Sequence, residues 1–322
     1  MYDLCAVGDL LIDMFHGEEE DSFIANCGGT AMNMVICAAR LGLSTSVIGR
    51  IGADIMGERI RQSLIRNGVD IKGLIEDKDY FTTMTFVVLD EAGERRFSFA
   101  RQFGADVMLT PDLINEELVD NARVLYFTGM LLSQEPSRST TLDFIKKQYE
   151  KGQNICFDVS YRKFLWVSPS EAVNVITQVL PYVTLFKSSE EELFLLTGEK
   201  NLKKAAEKIE QYGVSASIIT CGESGAAYYM NGVYEMVPGF HVHVVDTTGA
   251  GDAFFGGFLY QLCLLSDPAS LSVAQLPSMV RFANATGALN VRYKGGFKGA
   301  PYLAEVITFM EESEKGDERV VL

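Results

Sequence analysis

In Gly249-Ala250-Gly251-Asp252, residue types and spacing suggest a specific chemistry. Val244-Val245-Asp246-Thr247-Thr248 runs as an apolar strand end into two glycines, and a long apolar helix beginning Ala253-Phe254-Phe255 follows at once. Amides in the first turn of a helix lack intrahelical acceptors, and the helix dipole adds partial positive charge, so such a turn is an anion site. Gly249 and Gly251 let the backbone approach a ligand and curl into a concave nest of N–H groups. A phosphate would be held there without a cationic side chain. Asp252 then needs explaining, because a carboxylate repels a neighbouring phosphate. It either accepts the proton of a hydroxyl attacking the phosphoryl group, or complements the helix dipole for a few tenths of a kcal/mol. Spacing alone leaves both open.

Competing motifs fail. There is no G-x-x-x-x-G-K-[ST], so this is not a P-loop. Gly249-x-Gly251-x-x-Phe254 lacks the third glycine of a dinucleotide fingerprint, and Gly222-Glu223-Ser224-Gly225 is one residue short of a nucleophile elbow. His241 and His243 alternate along an expected strand with no acidic or Cys partner at ligand spacing, which predicts packing or surface positions rather than a metal. His16 receives no assignment. Six cysteines without a C-x-x-C pair read as core thiols in a reducing compartment.

The elements that must position these residues alternate short apolar runs with helical periods, the pattern of a parallel sheet wrapped by helices. Expected strands are 4–8, 45–49, 124–128, 154–158, 183–187 and 217–221. Expected helices are 31–41, 57–67, 140–151, 190–197 and 202–212, each followed by a glycine suited to the left-handed residue past a helix end. Thr110-Pro111 reads as a helix cap followed by proline. Residues 82–89 and 95–101 break the alternation as two strands around a short turn at 90–94. Phe97, Phe99 and Arg101 share one face of the second strand at period 2, so the hairpin is a candidate lid that aims Arg101 with the phenylalanines. The 322 residues, 48% hydrophobic and 22% charged, suffice for one large core. The net charge of −15 argues against a nucleic-acid partner. No apolar run reaches the length of a membrane span. The first residues lack a basic segment, and Asp9 and Asp13 interrupt the apolar run behind them, so a soluble cytoplasmic protein is expected.

Asp246-Thr247-Thr248-Gly249-Ala250-Gly251-Asp252-Ala253-Phe254 resembles the C-terminal signature of the ribokinase-like, phosphofructokinase-B type carbohydrate kinases. Gly28-Gly29-Thr30-Ala31-Met32-Asn33, with Gly49-Arg50-Ile51-Gly52-x-Asp54-x-x-Gly57 behind it, resembles the N-terminal one. Two signatures in the correct order are more specific than either alone, and the resemblance spans the chain. It implies a single domain over 1–322: a doubly wound, mostly parallel α/β sheet flanked by helices, with a small β lid from about 10–26 and 82–101. It also implies ATP with Mg²⁺ as donor and a monosaccharide primary hydroxyl as acceptor.

By the same resemblance Asp252 is the catalytic base, and the amides of Gly249, Ala250, Gly251 and Asp252 form the anion hole. Asp13, Gly28, Gly29, Asn33 and Arg162 face the sugar, and Arg101 is added should the hairpin turn it inward, where it would suit a sugar-acid carboxylate. Lys187, Glu192, Thr220, Gly222, Gly225 and Asn284 fall on the nucleotide side, with Glu192 orienting water around Mg²⁺. Asp246 and Thr248, with backbone near Asn290 and Gly295, suggest a K⁺ site. Ser160 and Ser189 stand where the family carries Asn. The lid sequence and Lys187-x-Ser189-x-x-Glu192 resemble the fructokinase branch. Fructose is therefore the expected substrate, ahead of ribose, a 2-keto-3-deoxy sugar acid or a non-catalytic sugar-binding role. Homodimerisation through the lid is a further implication.

Overall fold

The computed structural model describes residues 1–17, 19, 22–89 and 95–314, with backbone only at 88, 89 and 95–97. The expected hairpin turn at 90–94 lies outside the described residues. The described strands are β1 (Tyr2–Val7), β2 (Leu11–His16), β3 (Phe23–Gly28), β4 (Thr45–Gly52), β5 (Asp70–Asp77), β6 (Met84–Leu89), β7 (Arg95–Ala100), β8 (Ala122–Thr128), β9 (Asn154–Asp158), β10 (Leu185–Ser189), β11 (Ala216–Thr220), β12 (Gly225–Met230) and β13 (Val233–Pro238). Nine form one sheet in the order β13-β12-β11-β10-β9-β8-β1-β4-β5, and four form a second in the order β3-β2-β6-β7. In the large sheet only β12 pairs antiparallel, with both its neighbours.

A parallel strand buried on both faces must be apolar on both, and β8 shows the consequence. Val124 and Tyr126 point into one core and Leu125 and Phe127 into the other. Tyr126 meets Phe255 with ring centroids 5.7 Å apart, and Phe127 stacks on Phe157 at 4.6 Å. Helices Thr30–Leu41, Ala250–Leu264 and Leu276–Asn290 cover the first face. Helices Ser137–Glu150, Pro169–Ile176, Glu190–Thr197 and Leu202–Glu210 cover the second. Each fully buried Phe or Leu contributes about 1.5–3 kcal/mol, so these layers dominate stability. All six cysteines are free, and no described helix is long and apolar enough to cross a membrane.

The winding direction positions the site. From β1 the chain proceeds outward to β4 and β5, then returns to the other side of β1 at β8 and continues to β11. Helices on either side of the β1–β8 junction therefore lie on opposite faces, which opens a crevice at the carboxyl ends of these strands. The chain leaves β1 for β2 and β3, and leaves β5 for β6 and β7, so the small sheet is inserted beside that crevice. Two local expectations change. Thr110-Pro111 opens a single 3₁₀ turn, Pro111–Leu113, rather than a longer helix. His241 and His243 are exposed in irregular chain, because the last antiparallel strand already ends at Pro238.

Candidate active site

Polar groups collect where the parallel strands end. Asp9, just past β1, accepts from the Thr30 amide at 2.7 Å and from the Thr128 hydroxyl at the end of β8 at 3.0 Å. Asp158 closes β9 and pairs with Lys187 of β10 at 2.9 Å, with both side chains buried. Burial alone would discharge Lys187, but Asp158, Glu192 and Asp252 around it more than offset that and hold its ammonium charged. A Cβ on Gly251 would lie 3.0 Å from the Lys187 Nζ, so this charge sits against the start of the Ala250 helix.

That start has the geometry of an anion site. Gly249 is left-handed at φ 74°, and a Cβ there would fall 2.1 Å from the Gly296 carbonyl oxygen, so both backbone angle and space require glycine. The Ala250 amide donates to Thr247 O at 3.2 Å, which removes it from the expected anion hole. The Gly251 and Asp252 amides head the helix beside Lys187, where they are the donors open to an anion. Asp252, 9% exposed, accepts from Asn33 Nδ2 at 2.7 Å. Its pKa is raised by burial, against the opposing pull of Lys187, the Asn33 bond and Arg162. A buried carboxylate with raised basicity, beside an anion-binding helix start, is suited to taking a proton from a hydroxyl.

The crevice holds a cavity of about 730 Å³ lined by Asp13, Gly29, Asn33, Arg162, Lys187 and Asp252, among others. Asp13 sits on β2 across from Asn26 of β3 and Thr85 of β6. A Cβ on Gly28 would lie 2.3 Å from Asp13 Oδ2, so that glycine makes room for the carboxylate rather than for a ligand. Burial raises the Asp13 pKa to about 7, with Arg162 pulling it down and Asp9, Asp252 and Asp246 pushing it up.

Arg101 does not face this cavity. It is 1% exposed and lies past the end of β7, so the strand alternation that turns Phe99 inward no longer applies to it. Its Nε donates to Asp106 Oδ2 at 2.7 Å, Nη1 to Ser133 Oγ at 2.8 Å and Nη2 to Met130 O at 3.1 Å. It braces the cavity wall at Met130 instead of binding a sugar. Removing one partner of a buried ion pair strands the other, so Arg101→Leu is expected to lower the unfolding free energy by about 3–5 kcal/mol. Denaturant unfolding measures that loss, and an unchanged midpoint would contradict the bracing role.

A second cleft, about 560 Å³, adjoins the first and shares Thr220, Thr247, Ala250 and Gly251 with it. Gly222, Gly225, Phe254, Asn284 and Ala288 line it with His241, which the sequence offers no ligand partner and so no site. Asn284 spends its Nδ2 on the carbonyls of Val237 and Pro238, both at 3.1 Å, so only its Oδ1 can serve a ligand. Glu192 likewise has a structural task. Its Oε1 accepts from the Tyr161 amide at 2.7 Å and its Oε2 from the Ser189 amide at 2.8 Å, joining the loop after β9 to the helix after β10. The expected cation residues do meet. Asp246 Oδ1 accepts from Thr248 N and Oγ1 at 2.9 and 2.8 Å, Oδ2 from Gly295 N at 2.9 Å, and Asn290 Nδ2 donates to Thr248 O at 3.1 Å.

Two contiguous cavities share the start of the Ala250 helix, and the buried Asp252 carboxylate lines the first of them, an arrangement suited to holding two ligands side by side. The family model for pfkB family carbohydrate kinases matches residues 1–301, and the chain belongs to that family. The probable fructokinase-2 of Arabidopsis thaliana is 34% identical over 312 residues, covering 94% of each chain. The fructokinase of Xylella fastidiosa with bound ATP superposes with a TM-score of 0.92 at 27% identity, covering 98% of this chain and 100% of that one. A double-mutant fructokinase of Vibrio cholerae O395, in fructose, ADP and potassium ion bound form, gives 0.86 at 30% identity, covering 95% and 97%.

Proposed function

We propose that this chain transfers the γ-phosphoryl group of ATP to a primary hydroxyl of fructose, giving fructose 6-phosphate and ADP. The observation that carries the reading is Asp252, held by Asn33 in the first cavity, one residue past the Gly251 that both cavities share. The first cavity, which carries Asp9, Asp13 and Asp158, takes the sugar, with Asp13 accepting from its hydroxyls. The second cleft takes the nucleotide base, against Phe254, Ala288 and Val291, and the shared residues take the phosphates. Asp252 removes the proton of the attacking hydroxyl, whose oxygen forms a bond to the γ-phosphorus as the bond to the β–γ bridging oxygen breaks and ADP leaves. The Gly251 and Asp252 amides and the Lys187 ammonium face the negative charge of the transferring group. The small sheet, which contributes Leu11, Asp13, Thr85 and Phe99 to the cavity, serves as its lid.

Mg²⁺ supplies charge neutralisation on the nucleotide phosphates when bound. No group of three or more His, Cys, Asp or Glu among the described residues is arranged to hold a metal, which suits an ion held chiefly by phosphate and water. Asp158 and Glu192, whose charges act on Lys187, would orient the ion's water shell. For K⁺, the fit rests on the buried Asn290 Oδ1, which has no partner among the described residues, beside Asp246 and the Thr248 carbonyl. The reading extends to a cytoplasmic homodimer joined through the small sheet, whose Phe23 and Ile24 are exposed.

ADP release measured over a panel of fructose, ribose and a 2-keto-3-deoxy sugar acid, with and without Mg²⁺ and K⁺, tests the proposal. Fructose is expected to give the highest kcat/KM, and the sugar acid a low one because Arg101 is committed to Asp106. Sugar binding without turnover of any member would replace the kinase reading with a sensor.

A further inference from the structure

The register of the small sheet sets three side chains in one transverse row. Asp13 of β2 pairs across to Thr85 of β6, and Thr85 to Phe99 of β7. Residues directly across adjacent strands share a face, with about 5 Å between strands, and all three line the sugar-side cavity. Thr85 is 3% exposed, yet its Oγ1 has no hydrogen-bond partner among the described residues. Thr83, just before β6, differs: its hydroxyl is bonded to Asp106. A buried hydroxyl left without a partner costs about 1–3 kcal/mol, so Thr85 is poorly explained as packing.

We propose that Thr85 is a specificity-determining residue whose Oγ1 hydrogen-bonds a hydroxyl of the sugar neighbouring the one held by Asp13. The inference rests on the sugar-kinase reading. The chemistry of the row is graded. Asp13, when ionised, only accepts, Thr85 both donates and accepts, and Phe99 offers an apolar wall to the C–H face of the ring. Together they read two adjacent hydroxyls and the ring face beyond them.

The test replaces Thr85 by Val, which keeps the shape and removes the hydroxyl, and by Ser, which keeps the hydroxyl. Both variants are assayed with fructose and with a set of monodeoxyfructoses. Thr85→Val is expected to raise KM for fructose about 3- to 10-fold with kcat nearly unchanged, the loss of one neutral hydrogen bond. Thr85→Ser should stay within about twofold of the original protein. One monodeoxy sugar should be handled equally by the original protein and by Thr85→Val, because the bond it lacks is already gone. A variant that penalises every sugar equally, or none, overturns the role of Thr85. Failure of the unsubstituted protein to phosphorylate any of these sugars overturns the underlying reading instead.

Discussion

Asp252→Ala is expected to lower kcat by about 10²- to 10⁴-fold, while sugar and nucleotide still bind, because general-base removal of a proton contributes on that order. In free energy this is about 3–5 kcal/mol of transition-state stabilisation. Asp252→Asn is the sharper variant, since its amide oxygen can still accept from Asn33 Nδ2 and preserve the local shape. Both should lose turnover alike if the proton matters, whereas a packing role would let Asn recover it. Stability should move the other way. Burial raises the Asp252 pKa, so the folded state pays for the ionised form at neutral pH, and Asp252→Asn, which removes the charge and keeps the acceptor for Asn33, should leave the melting temperature unchanged or higher. The same shift makes kcat fall as pH drops, beginning at a higher pH than an unshifted aspartate would give. ADP release across pH, nucleotide titration calorimetry and thermal unfolding check the three parts. A kcat near that of the unsubstituted protein would overturn the assignment.

The Asp252 motif was legible in sequence because its determinants are local: a left-handed glycine, a helix start and an acid within four residues. The same holds for β9 and the helix Glu190–Thr197, whose bounds match expectation. Both-face burial makes a parallel strand a continuous apolar run, and a left-handed Gly198 ends the helix. Strands β5 and β13 escaped because they lie at the edges of the sheet, where a face need not be apolar, as Asp-Ile-Lys-Gly-Leu-Ile-Glu-Asp of β5 shows; β12 is buried throughout, but its Gly225-Ala226-Ala227 start is poor in strand-forming residue types. Arg101 was misassigned by continuing the period-2 face one residue beyond the strand, into a turn that redirects it to Asp106. Glu192 was assigned from its motif, but both of its oxygens answer to amides fixed only by tertiary structure. Thr85 carries no motif. Its place beside Asp13 comes from the pairing of β2 with β6, which lie far apart in the chain.

Asp13→Asn should separate binding from stability, with opposite signs. A carboxylate accepting from sugar hydroxyls makes charge-assisted hydrogen bonds of about 1.5–3 kcal/mol each, so its loss should raise KM for the sugar roughly 10- to 1,000-fold. The folded protein binds the Asp13 proton up to about pH 7, against an unfolded value near 4. Folding therefore favours protonated Asp13. Its stabilising effect is complete below about pH 4 and is lost as pH rises through about 7. Asparagine mimics the protonated acid at every pH. The variant should accordingly match the original protein near pH 4, gain on it between about pH 4 and 7, and stay ahead above that. Thermal unfolding without ligand at several pH values measures the gap, and a gap that is flat with pH would overturn the argument. Sugar binding must then draw on the ionised form, so KM of the original protein should rise as pH falls below about 7, and that of Asp13→Asn should not. On the proposed reading, the Asp13 carboxylate is held in a state that costs stability until a polyol shares its charge, which would tie substrate recognition to the burial that raises its pKa.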